Sequence, residues 1–206
     1  AKMGYGFLVD TYETERLKTL GAWSTFKDGD LSRRPHPQDR RGRNGHEQMV
    51  HQCVGENLWF CNMLGIDVGA PPLPEEETRL EFIKRYAEDS EKRLEALREK
   101  DDAWWKEEVK FFEVSRSRAW VVTRRIAHTA HHRGQITMLL RMAEREIYST
   151  YGPTADTGGL MQNKAPTIYP YSSVEALIKG ETAGGKKKAT LPGPGDKPCT
   201  ERPDQT

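Results

Sequence analysis

Residues 125–141 read RIAHTAHHRGQITMLLR. Apolar residues recur there at helical spacing, and two histidines, His128 and His132, stand four residues apart. On an α-helix that spacing puts both imidazoles on one side, with Cβ atoms about 5–6 Å apart, close enough to reach one metal ion. His131 is turned about 60° from His128 and is a poorer ligand for the same ion. Val121, Gln135 and Leu139 share the His128/His132 face, so that face is expected to look inward. The stretch therefore sets a long helix with histidines on its buried side, and an all-α reading grows outward from it.

Toward the N-terminus, residues 46–64 repeat the helical pattern, with Gly65 as a C-cap. His51 lies there in phase with Val54, Leu58 and Cys61, beside the small Gly55. A further helix is expected over residues 4–26, with Val9, Tyr12, Leu17, Leu20 and Trp23 in one broad stripe. LSRRPHPQDRRGRNG, residues 31–45, carries two prolines and two glycines and is a connection. GAPPLPEEE breaks the chain again. Glu75 to Glu77 then place negative charge at the start of a third helix running to about Lys100, where the helix dipole favours it. Its buried face is Leu80, Ile83, Ala87, Leu94 and Leu97. The fourth helix is expected over residues 115–148. Strand signals are nearly absent; the weak one at residues 111–114 reads as a joint between helices. The fold class is all-α: an up-and-down four-helix bundle over residues 1–150, with a mostly irregular C-terminal extension over residues 151–206. Within the extension, residues 174–179 suit one short helical turn. Residues 180–206, rich in Gly, Pro, Lys and Thr, are expected to be disordered or to lie extended on the bundle.

Composition narrows the function classes. The 206 residues carry 32 Lys and Arg against 31 Asp and Glu, a net charge of +1. Nucleic-acid binders depend on neutralising phosphates, so no nucleic-acid partner is expected. No apolar run is long enough for a membrane span, and no membrane partner is expected. Three cysteines, Cys53, Cys61 and Cys199, lack zinc-knuckle spacing and suit a reduced, cytoplasmic protein. Cys53 and Cys61 read as small apolar residues and Cys199 as exposed.

His51, His128 and His132 thus face one interior from two helices. Inward histidines are costly if charged and unpaired, and a divalent cation removes that cost. Three histidine ligands leave coordination positions open, as catalytic sites do. An HxxxH pair alone is as readily two surface histidines, and His51 alone a hydrogen-bonded core residue. His46 and His36 read as bystanders. Glu56 is expected to pair with an arginine of a neighbouring helix, Arg133 to make structural pairs, and Gly134 to mark a close helix crossing. The cluster Arg33, Arg34, Arg40, Arg41 and Arg43 is a solvated loop or a grip on a substrate carboxylate at the pocket mouth. Trp104, Trp105, Phe111 and Phe112 form a lid on the bundle end.

The string HTAHHRGQ, residues 128–135, resembles the HxxHHRGQ hallmark of the DinB/YfiT-like family. Residues 34–60, RPHPQDRRGRNGHEQMVHQCVGENLWF, resemble the family's second-helix region, with His51, Glu56 and Trp59 at the matching places. The resemblance covers residues 4–146. It implies a four-helix bundle, often a homodimer, with a divalent metal ion bound by His51, His128 and His132. Some relatives are S-transferases and isomerases that use low-molecular-weight thiols, and others have no known activity. It therefore implies a small-molecule substrate and a thiol or water activated by the metal. Ligand type leaves Zn, Ni and Fe open. Two rival readings stand beside this one: a non-catalytic metal-binding or dimeric scaffold in a stress response, and a metal-free bundle with hydrogen-bonded core histidines.

Overall fold

A computed structural model describes residues 4–196 together with 200 and 201; Cys199 lies outside the described residues. The long helices are α1 (Gly6–Thr25), α2 (Gly45–Leu64), α3 (Arg79–Arg98) and α5 (Arg118–Met142). A short α4 (Asp102–Lys106) and the strands β1 (Glu108–Phe111) and β2 (Val114–Ser117) stand between α3 and α5, and α6 (Val174–Thr182) follows the bundle. The fold is all-α with one small hairpin, as the helical periodicity predicts.

Local chemistry explains the boundaries. The Asn44 side chain accepts from the Glu47 N–H and the Glu47 carboxylate accepts from the Asn44 N–H, a reciprocal cap that starts α2. Gly65 ends α2 in the left-handed conformation, φ +67°, where a side chain would be strained. Thr78 caps α3, so Glu75 to Glu77 lie in the preceding loop and not in the first turn. The expected fourth helix begins three residues late because Ser117 caps α5. Residues 111–114, expected as a plain joint, form the turn of the hairpin: β1 and β2 pair antiparallel with Phe111 opposite Val114.

The helices contain two apolar clusters. One gathers Leu20, Trp23, Met49, Phe82, Ile136, Leu140 and Leu177. The other gathers Val9, Phe60, Leu94, Trp105 and Val121. Their positions along the chain give the helix directions. α1 and α5 run from the second cluster to the first, and α2 and α3 both run from the first to the second. The order is therefore up, down, down, up, and not the alternating up-and-down order expected, because the connection between α2 and α3 crosses the length of the bundle. The connection over residues 65–78 makes the return, with Ile66 packed in one cluster and Leu73 against the other. A 20-residue helix is about 30 Å long, and fourteen extended, proline-rich residues can reach roughly 45 Å.

Between the clusters, the middle of each long helix is polar. Arg93 donates to Glu56 at 3.2 Å, with both side chains 1% exposed. Arg133 donates to Glu15 at 2.5 Å and also contacts the Tyr151 hydroxyl. Arg16 donates to Ser90 Oγ and to the Ala87 carbonyl. Arg125 donates to Gln52 Oε1, and Gln52 donates to Thr129 and Tyr86. The expected arginine partners of Glu56 and the structural role of Arg133 are thus present.

Residues after 151 are mostly irregular but anchored. Arg141 binds Asp156 at 2.6 Å, and Tyr148 donates to the Ala189 carbonyl. The expected helical turn at residues 174–179 is the nine-residue α6, whose Leu177 is fully buried in the first cluster. Glu181 is buried too and takes Arg79, Lys188 and the Tyr171 hydroxyl, so part of the segment from 180 onward has something to bury. A cavity of about 320 Å³ lies between α1, the end of α5 and residues 147–150 and 169–172. Leu17, Ala22, Leu140, Ile147 and Pro170 line it, and none of the three inward histidines does. No helix among the described residues is long and apolar enough to cross a membrane.

Candidate metal centre

The structure brings His51 of α2 together with His128 and His132 of α5, and one ring nitrogen from each lies within 4.8 Å of the others. His51 Nε2 and His132 Nε2 are 3.1 Å apart. Ring centroids are 4.4 Å apart for His51/His132, 4.5 Å for His128/His132 and 5.3 Å for His51/His128. Ligand nitrogens about 2.0–2.1 Å from a tetrahedral zinc ion are roughly 3.3 Å apart. The three nitrogens need only small side-chain rotations to meet that spacing.

The surroundings favour neutral imidazoles with free lone pairs. Burial, then the Arg125 charge, lowers the His128 pKa to about 3. Burial, then the neighbouring His51 and His131, lowers His132 to about 4. His51 is lowered by burial, then by Arg43 and Arg125. His128 Nδ1 is buried without a hydrogen-bond partner. Among the described residues, no carboxylate or cysteine joins the group. A set of neutral nitrogen donors with an orphaned buried atom and no anion fits a borderline cation such as Zn²⁺, Ni²⁺ or Fe²⁺.

Gln48, three residues before His51, was not singled out by sequence patterning. Its Oε1 is 3.1 Å from His132 Nδ1, and its Nε2 donates to Gln135 Oε1 at 2.7 Å. Gln135 Nε2 in turn faces His131 Nε2 at 3.0 Å. With Nδ1–H donated to Gln48, His132 keeps the tautomer whose Nε2 lone pair points at His51. Such outer partners fix the orientation of ligand imidazoles. The only prior signal was helical phase: Gln48 and His51 sit one turn apart on one side of α2.

Other sequence candidates fall elsewhere. Leu58, expected inward with His51, is 50% exposed. Cys53 is buried, and burial pushes its thiol far up, as expected of an apolar packing residue. Cys61 is half-buried and its thiol is raised by burial and by Asp67. His46 is bound to Glu77 at 2.5 Å, and His36 accepts from the Gln38 N–H. In the arginine loop, Arg34 is held by Glu47, Arg41 by Asp39 and Arg33 by the Met142 carbonyl. Arg43 is the member whose charge reaches His51 and His132. Gly134 meets nothing within 4 Å of a Cβ, so it marks open space and not a helix crossing. The expected aromatic lid divides. Trp105 is buried against Tyr5, while Phe111 and Phe112 stand beside Trp59.

Fold and site together define a four-helix bundle with a three-histidine centre shared by two helices. Residues 7–163 match the DinB family, and the chain belongs to that family. Among solved structures, a DinB-like protein from Bacillus cereus is 20% identical, with a TM-score of 0.62 over 70% of this chain and 95% of that one. That likeness is one of fold. No curated protein matches the chain.

Proposed function

We propose that this DinB-family protein is a metal-dependent enzyme whose His51, His128 and His132 hold one divalent ion, and that its reaction joins a thiol or water to a small electrophile. The carrying observation is the meeting of three imidazoles from two helices, with no carboxylate or cysteine joining them among the described residues. When bound, the ion lowers the pKa of a coordinated thiol or water and so supplies a nucleophile at neutral pH. Gln48 orients His132, and burial, with a smaller contribution from the Arg43 charge, lowers the pKa of His51 and His132. Cys53 is too buried and too weakly acidic to be the nucleophile, and the Cys61 thiol is raised as well, so this reading takes its thiol from a small molecule. A low-molecular-weight thiol transferred in an S-transferase reaction is the preferred form. A homodimer in the cytoplasm is its proposed setting.

A non-catalytic metal-binding scaffold is the second reading. It is favoured by the lack of a carboxylate beside the histidines to serve as general acid or base. The test is metal content of the untreated protein, with His128→Ala and His132→Ala as controls, followed by turnover of a model electrophile with a panel of cellular thiols. Metal-dependent turnover with one thiol supports the enzyme. Stoichiometric metal without turnover by thiol or water supports the scaffold. Metal retained in both variants, or absent from the wild type, sinks the site.

A further inference from the structure

The β1–β2 hairpin turns through two residues, Phe112 and Glu113, because Phe111 pairs with Val114. Two-residue hairpin loops need a positive φ at their first residue, and glycine or asparagine usually supplies it. Here Phe112 takes φ +50° with its side chain 61% exposed. Neither the turn nor burial calls for phenylalanine at that place. A bulky residue held in a sparsely populated conformation and turned to water is a pointer to binding.

Its neighbours continue the pattern. The Phe112 ring stands edge-on to Phe111 at 4.8 Å and to Trp59 at 6.3 Å. Phe111 meets Trp59 edge-on at 5.2 Å and Trp120 at 4.9 Å. Trp59 lies 5.7 Å from the His128 ring. The rings therefore form a partly exposed wall from the hairpin tip to the histidine centre. Of the nearby charges, Arg125 is buried over Trp59 and donates to Gln52 while its Nε and Nη1 have no partner, and Arg116 lies over Trp120 and donates to the Ser115 carbonyl.

We infer that Phe112, Phe111 and Trp59 are specificity-determining residues that bind a flat aromatic group beside the three histidines. A planar ring added to this wall gains edge-on or offset contacts and releases water from the exposed rings. The binding surface itself is independent of the proposed function. Its meaning as a substrate site rests on that reading, under which the electrophile is an aryl compound.

The test is an NMR titration of the metal-free protein with 2-naphthol, reading the dissociation constant and the intermolecular NOEs. NOEs to the Phe112 and Phe111 rings are expected. Phe112→Gly relieves the backbone, so it should leave Tm unchanged or higher while weakening 2-naphthol about threefold to tenfold, the loss of one aromatic contact. Phe112→Tyr should restore binding. Equal affinity in Phe112→Gly, NOEs confined to Leu17 and Leu140 of the separate cavity, or a lower Tm that marks the ring as a structural prop would each overturn the inference. Metal content is measured on the same samples. Hairpin-dependent naphthol binding without metal uptake refutes the metal centre alone, and metal uptake without hairpin binding refutes this inference alone.

Discussion

Two polar regions lie inside the same bundle, and they balance their charges in opposite ways. In the middle layer, two buried cations have buried anions: Arg93 is paired with Glu56, and Arg133 with Glu15. At the three-histidine centre no carboxylate or cysteine joins the group among the described residues, and burial, with Arg125 and Arg43, lowers the histidine pKa values. The layer is paired largely within itself, although Arg93 Nε and Arg125 Nε and Nη1 are buried without a partner. The centre gathers three imidazoles that could hold a metal ion. The difference separates a region built for folding from one built to bind.

The largest effect should come from breaking the layer. Glu56→Ala leaves Arg93 and Arg125 buried without their shared carboxylate and should cost about 3–5 kcal/mol in denaturant unfolding. Metal content per folded molecule should persist, because Glu56 touches none of the three histidines. Breaking the centre should do the reverse. His132→Ala should remove stoichiometric metal while changing the unfolding free energy of the chelator-treated protein by only about 1 kcal/mol. A smaller effect sharpens the same contrast: Gln48→Leu removes the acceptor of the His132 Nδ1 proton and should weaken metal binding about 10–100-fold by competition titration.

The same contrast has a pH signature. His128 and His132 have folded pKa values of about 3 and about 4, below the ordinary histidine value of about 6.5. Between those limits the unfolded chain binds more protons than the folded one, so stability falls as pH falls. Their contribution is intact above about pH 6.5 and erodes as pH drops toward 4. Thermal melts of chelator-treated protein should show that decline, and His128→Gln should flatten it. A slope unchanged by the substitution would mean that other groups carry the acid sensitivity.

Much of this was legible in the sequence where one residue's chemistry decides one local outcome. Gly65 marks the end of α2 because a left-handed turn favours glycine, and the HxxxH spacing puts His128 and His132 together because a helix turn does. What could not be read depends on partners far apart in the chain. The parallel course of α2 and α3 follows from the path of residues 65–78 across the bundle, which periodicity along one helix does not encode. Gln48 has its role only once α5 brings His132 beside it. The hairpin strands are four residues each, too short for a period of two to stand out beside Trp104 and Trp105. Gly134 misled because a glycine within a helix suits either a close neighbour or an open space, and the space beside it is open.

The most direct measurement is elemental analysis of the untreated wild-type protein with its anomalous scattering map. The account predicts one divalent ion per chain, its density bounded by His51, His128 and His132, and its loss in His132→Ala. A metal-free wild type that takes up no Zn²⁺, Ni²⁺ or Fe²⁺ on titration, or an ion bound elsewhere and retained in the variant, would contradict it.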